Sequence, residues 1–143
     1  MPNPNTAPFQ RKRFWFFYVF LIVGFVSFFH FLGVKPNVYW TITNIVHSII
    51  TFVFMHWVKG SPLESSYYPQ GKYDKLTFWE QLDEQRQFTP TRKVFTLIPI
   101  ILFCISSYTA YDELLINLIF AAVVIAPKLP YFHGVRLFGV NSD

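Results

Sequence analysis

FWFFYVFLIVGFVSFFHFLGV, residues 14–34, runs 21 positions without a charged side chain. At 1.5 Å per residue it makes a helix of about 31 Å, close to the hydrocarbon thickness of a bilayer. Arg11-Lys12-Arg13 abuts its start, and basic residues beside an apolar run mark a membrane edge. A secretory signal would have a shorter apolar core followed by a small-residue cleavage site. This stretch has neither, so it reads as a retained first span. The fold class follows: all-α and integral to a membrane.

The composition agrees. Of 143 residues 52% are hydrophobic and 14% charged, against about 25% charged in soluble domains. The 18 Phe, 8 Tyr and 4 Trp exceed what a soluble core of this size can hide, whereas a bilayer solvates them. The net charge of +4 sits beside apolar runs, so it reports membrane topology and gives no reason to invoke nucleic acid. Cys104 is the only cysteine. It has no intrachain disulfide partner and is expected to be a buried packing residue.

Outward from the first span, residues 1–13 form a short polar N-terminal segment. Lys35-Pro36-Asn37 is a turn, and residues 38–58 are a second span with Tyr39-Trp40 and Trp57 at its two interfaces. Asn44, His47, Ser48 and Thr51 stand at i, i+3, i+4 and i+7, one face of that helix. Lipid penalises such a face, so it is expected to be an intramembrane polar contact face turned to the bundle or to a partner helix. Residues 59–93 form a polar loop in which Thr77-Phe78-Trp79-Glu80 has the capping-box pattern. A short amphipathic helix is expected there, either lying on the membrane or simply solvated. Glu80, Asp83 and Glu84 read as a solvated face.

Thr89-Pro90 reads as an N-cap with proline at the first helical position. The third span, 94–111, should be kinked or loosened by Pro99. Asp112-Glu113 allows only a tight hairpin. Leu114–Ala126 reads as one apolar run, about 20 Å of helix, and makes a fourth span, 114–132, if a kinked helix continues past Pro127 and Pro130. A re-entrant segment is the alternative. Residues 133–143 form a polar tail. With four spans, ten of the twelve Lys and Arg fall in the N-terminus, the loop and the tail, and Lys128 lies near the same end of the fourth span, leaving Lys35 on the other side. That asymmetry predicts a four-helix bundle with both termini and the 59–93 loop in the cytosol.

No phosphate loop, nucleophile elbow or HExxH motif is present. His47 and His56 lie about 900° apart on one helix, so they face opposite sides and cannot share a metal. No carboxylate lies in an expected span, which argues against proton-coupled transport. The residues therefore point to a non-catalytic helper protein that leans on partner helices. A general scaffold or chaperone, and a small transporter using the Asn44/His47/Ser48/Thr51 stripe, are the competing readings.

Several segments then suggest a family. They are Asn3-Pro4-Asn5-Thr6; Val38-Tyr39-Trp40-Thr41-Ile42-Thr43-Asn44; His56-Trp57-Val58-Lys59-Gly60-Ser61-Pro62; Trp79-Glu80-Gln81-Leu82-Asp83; Gln87-Phe88-Thr89-Pro90-Thr91-Arg92-Lys93; and Pro127-Lys128-Leu129-Pro130-Tyr131-Phe132-His133-Gly134-Val135-Arg136-Leu137-Phe138-Gly139-Val140-Asn141. In this order, over nearly the whole chain, the sequence resembles the Orm/ORMDL (orosomucoid-like) proteins. The resemblance implies a multi-pass endoplasmic reticulum protein with four spans and cytosolic termini. It would bind serine palmitoyltransferase subunits and inhibit that enzyme when ceramide is plentiful, carrying no cofactor or metal itself. Asn3, Pro4, Asn5 and Thr6 would form the regulatory N-terminal segment, with Asn5 the ceramide contact. A carboxamide suits that task, offering both donor and acceptor, and Pro4 holds Asn3 extended. Only Met1-Pro2 precede this motif, where animal relatives have a longer lead, so weaker inhibition is expected. Residues 1–13 contain Thr6 and no Ser, unlike the Ser-rich extension of fungal relatives, so relief by phosphorylation of that kind is not expected.

Overall fold

The computed structural model of the protein describes residues 3, 5–60, 71 and 73–136. Among these residues the structure is helical, without a strand. Helix α1 spans Lys12–Phe31, α2 Pro36–Phe52, α3 Phe78–Gln81, α4 Pro90–Thr109 and α5 Leu114–Ile125. A π-helical turn, Val53–Trp57, extends α2. Three helices, Lys12–Phe31, Pro36–Trp57 and Pro90–Thr109, are long and apolar enough to cross a membrane.

Local sequence sets the helix ends. Gly33 adopts φ +73° after α1, a left-handed turn that glycine enters without a Cβ penalty. Its N–H donates to His30 O, and the Val34 N–H to Phe29 O, the paired bonds of a Schellman end. Pro36 then opens α2 from an extended Lys35. Thr89 caps α4 by accepting from the Arg92 N–H, with Pro90 at the first position. The helix therefore begins four residues before the expected span.

Two expectations are corrected here. The fourth helix does not continue to Phe132. It ends at Ile125 and is followed by two 3-10 turns, Ala126–Lys128 and Pro130–Phe132, with extended Leu129 between them. Pro130 lacks a backbone N–H and disfavours a helical residue before it, so the ladder cannot pass. Nor is Leu114–Ala126 uniformly apolar, because it contains Asn117, which is fully buried.

Helices α2, α4 and α5 pack against one another, and α1 lies on the flank of α2. No residue of α1 is buried. Its outer face, Phe16 and Phe20 included, is exposed, a surface that lipid or another protein's helices would cover. The interior shared by α2, α4 and α5 is lined by small and polar residues: Thr43, Asn44, Ser48, Ser106, Asn117 and Ala121. Without a hydrophobic drive between helices in lipid, close packing and interhelical hydrogen bonds have to hold such an interface. Cys104 is exposed on the outer side of α4, correcting its reading as a buried residue. The four-residue step from Cys104 reaches Tyr108, also exposed, so this stripe of the helix faces away from α2 and α5.

The large apolar core lies at one end, under the loop. Met55, Phe78, Trp79, Leu82 and Phe95 form it, with Phe9, Phe14, Trp15, Tyr18 and Phe54 packed around them. Ring centroids of Phe9 and Phe78 are 4.6 Å apart and those of Trp15 and Phe95 4.7 Å. The N-terminal segment, the loop and the ends of three helices meet in these contacts.

Candidate functional site

The loop helix α3 is only four residues long, too short to persist without its cap and tertiary contacts. Thr77 and Glu80 supply the capping box expected from sequence: the Glu80 N–H donates to Thr77 Oγ1 at 3.4 Å, and the Thr77 N–H to Glu80 Oε2 at 2.8 Å. Phe78, Trp79, Glu80, Gln81 and Leu82 are all buried. The helix lies against the protein's own core, neither free in solvent nor flat on a membrane. After it, Asp83, Glu84 and Gln85 take φ of 51°, 56° and 66°, a left-handed run that ends the helix abruptly.

This arrangement makes Gln81 a hub. Its Oε1 accepts from Asn3 Nδ2 at 3.3 Å and from Asn5 Nδ2 at 3.0 Å. Its Nε2 donates to Gly60 O at 2.7 Å and to Leu76 O at 3.0 Å. The Asn5 N–H in turn donates to Asn3 Oδ1 at 2.9 Å. Asn3, Asn5 and Thr6 are all buried, and a 3-10 turn, Ala7–Gln10, carries the chain on to α1. The polar N-terminal residues are thus folded onto the loop some 76 positions away in sequence. Pro4 lies outside the described residues, as do Ser61-Pro62 and residues 137–141 of the motifs above.

Glu80 is the correction at this site, for it is not on a solvated face. Its side chain is 5% exposed and paired with Arg136 at 2.6 Å, a second bond running to Arg136 NH2 at 2.8 Å. Burial alone would raise the carboxyl's pKa. The bidentate bonds from Arg136 and the Thr77 N–H outweigh that and hold it below the ordinary value. Arg136 rises correspondingly through its bonds to Glu80. Arg92 is buried too and donates to Trp79 O at 2.8 Å, Leu82 O at 3.2 Å and Gln87 Oε1 at 3.1 Å. It ties the start of α4 to the loop helix.

The stripe on α2 divides between two neighbours. Asn44 Nδ2 donates to Asn117 Oδ1 at 2.9 Å and to Asn117 O at 3.2 Å, while Asn117 Nδ2 donates to Thr41 Oγ1 at 3.2 Å. Tyr18 Oη and His47 Nε2 are 2.6 Å apart, with Thr51 Oγ1 3.4 Å from the same nitrogen. Asn44, Ser48 and Thr51 are buried and His47 is half-buried. His47 and Thr51 border an apolar cavity of about 260 Å³ whose walls include Phe9, Tyr18, Phe54 and Phe95. His56 lies apart from His47, 3.3 Å from Lys128 Nζ. The structure thus joins Asn3, Asn5 and Thr6 at one station and splits the α2 stripe, with Asn44 on Asn117 and His47 and Thr51 at Tyr18. Gln81, Asn117 and Tyr18 complete these groups, and none of the three stands out from sequence for that role. For Gln81 the available signal was its place directly after the capping box.

Membrane-length apolar helices joined at one end by a buried polar loop and a docked N-terminal segment define the class: a helical membrane protein whose polar machinery lies at its helix ends. The model of the ORMDL family matches residues 3–136. The chain is 43% identical over 147 residues to ORM1-like protein 2 of Homo sapiens, covering 98% of this chain and 93% of that protein. To ORM1-like protein 3 of Mus musculus it is 42% identical over 145 residues, and to ORM1-like protein 1 of Danio rerio 45% over 149, with the same coverage in both. The chain belongs to the ORMDL family.

Proposed function

We propose that the protein is a non-catalytic regulatory subunit of serine palmitoyltransferase in the endoplasmic reticulum membrane, restraining the enzyme when ceramide accumulates. In this reading four spans place both termini and the loop in the cytosol, where ten of the twelve basic residues lie, with Lys128 near the same end of the fourth crossing. The short α5 with its proline-broken end completes the fourth crossing.

The observation that carries the reading is the burial of Asn3 and Asn5 on Gln81 at the end of the helices. Polar residues near a chain terminus are ordinarily solvated, yet here their carboxamides are held in place. A ceramide offers an amide and hydroxyls, which a carboxamide can meet as donor and acceptor. Asn5 would exchange its bond to Gln81 for the lipid at little net cost, because one hydrogen bond replaces another. The packing of Asn44 on Asn117 and of His47 against Tyr18 gives the intramembrane stripe a structural role and counts against a transport path.

The test is co-purification with serine palmitoyltransferase subunits from mild detergent, followed by enzyme assay with and without added ceramide. Stable association with ceramide-dependent inhibition is expected. Association with many unrelated membrane proteins, and no effect of ceramide, would favour the scaffold reading instead.

A further inference from the structure

Lys128 and Arg92 are buried cations, 5% and 3% exposed. Burying a charge without a counter-charge is among the costliest arrangements in a protein. Yet neither has an ion-paired carboxylate among the described residues. The acids in the neighbourhood are engaged elsewhere, Glu80 with Arg136 and Asp83 with Thr89 and Gln10. Both cations lie against the Trp79 ring, Arg92 Cζ 4.9 Å and Lys128 Nζ 5.5 Å from its centroid. Ring contacts ease the desolvation but supply no negative charge.

Their donors are only partly used. Lys128 Nζ donates to Val124 O and His56 Nε2, two of its three N–H groups. Arg92 Nε is buried with no partner. Both residues line one cavity of about 280 Å³ between α4 and the turns after α5, with the exposed Lys93 on the same wall. From the cations the cavity runs onto Leu97, Ile100 and Leu129, which are 52%, 39% and 43% exposed. Buried positive charge at one end and apolar side chains along a membrane-length helix at the other match a single kind of molecule.

We propose that this cavity binds one anionic phospholipid, its phosphate held between Arg92 and Lys128 and one acyl chain lying along Leu97, Ile100 and Leu129. Basic pockets between transmembrane helices near the headgroup level bind anionic lipids in this manner. The lipid supplies a counter-charge in direct contact, which Arg92 otherwise receives only through space from Asp83 and Glu80, and covers the outer face of α4 beside the loop. Neither Asn5 nor Gln81 lines this cavity, and its occupancy needs no enzyme, so it stands or falls independently of the regulatory reading.

Native mass spectrometry of the purified full chain, titrated with phosphatidylserine or phosphatidylcholine, tests this. The expected result is one tightly retained phosphatidylserine and no comparable retention of phosphatidylcholine. Lys128→Met should weaken that retention by about five-fold or more, the scale of one basic residue at a membrane surface. Lys93→Glu, at the exposed rim, should weaken it without disturbing the core, and the circular dichroism melt reports folding of both variants. Equal retention of the two lipids overturns the proposal. So does unchanged retention in Lys93→Glu together with a folded Lys128→Met. Displacement by soluble glycerophosphoserine at the same concentration as the lipid would show a free-phosphate site, and that too overturns it.

Discussion

Replacing Gln81 by leucine should release the N-terminal segment while leaving the helices in place. Gln81 accepts from Asn3 and Asn5 and donates to Gly60 O and Leu76 O. Leu76 O keeps its bond from the Gly60 N–H at 3.1 Å, so the loop turn retains backbone support. The segment loses both of its bonds to Gln81, one of them long at 3.3 Å, and keeps the bond from Gln10 Nε2 to Asp83 Oδ1 at 3.0 Å. At about 0.5–1.5 kcal/mol net for each, docking weakens by roughly 1–3 kcal/mol. Since about 1.4 kcal/mol is ten-fold, amide exchange in the turn should quicken by roughly 5- to 150-fold. The Thr6 and Ala7 N–H groups, both bonded to Asn3 O, report this in hydrogen–deuterium exchange. Amides in the middle of α2 and α4 are internal controls. Unchanged exchange at Thr6 and Ala7, with Gln81→Leu folded, would refute the role of Gln81. It would transfer the docking to Phe9, whose ring sits against Phe14 and Phe78; Phe9→Ala would then loosen the segment where Gln81→Leu does not.

Arg136→Met leaves the Glu80 carboxylate buried without its charged partner and should destabilise by about 1.5–3 kcal/mol, read by thermal unfolding in detergent. Because the Glu80 carboxyl titrates below its ordinary value in the folded protein, its contribution is present above the unfolded carboxyl value, about pH 4.3, and is lost as pH falls through the folded value. Glu80→Gln should flatten this acid limb of the stability curve. Asn44→Leu strands a fully buried Asn117 and should cost about 1–3 kcal/mol, while Asn44→Leu/Asn117→Leu should recover much of it in a double-mutant cycle; strict additivity would argue against the α2–α5 contact. A nitroxide at Cys104 in bilayers should be more accessible to oxygen than to a water-soluble nickel chelate, and the reverse order would place this face of α4 in water.

The parts of this fold legible in the sequence are those governed by neighbours along the chain. The uncharged run 14–34, the Thr77–Glu80 cap and the Thr89-Pro90 start each follow from local chemistry, and the structure has a helix at all three. Contacts between distant residues were not legible. The sequence gives Gln81 no reason to meet Asn3 and Asn5, because the meeting depends on how the loop folds back over the helix ends. Glu80 looked like one acid on a solvated face until Arg136 came to it. Residues 114–126 read as one apolar run, although Asn117 is an amide among apolar side chains, a signal of a buried partner. Periodicity located the polar face of α2 but could not name what faces it, and it could not tell which side of α4 carries Cys104. The end of α5 turned on Pro130, which left both a kinked continuation and a break open.

The regulatory account is tested most directly by the ceramide dose–response of serine palmitoyltransferase co-purified with this protein, comparing wild type with Asn5→Ala. Gln81→Leu serves as the control that frees the segment but keeps Asn5. The account predicts ceramide-dependent inhibition in wild type, loss of the response in Asn5→Ala, and a response retained, if shifted, in Gln81→Leu. Equal inhibition by ceramide in wild type and Asn5→Ala, with the variant still bound to the enzyme, would contradict it.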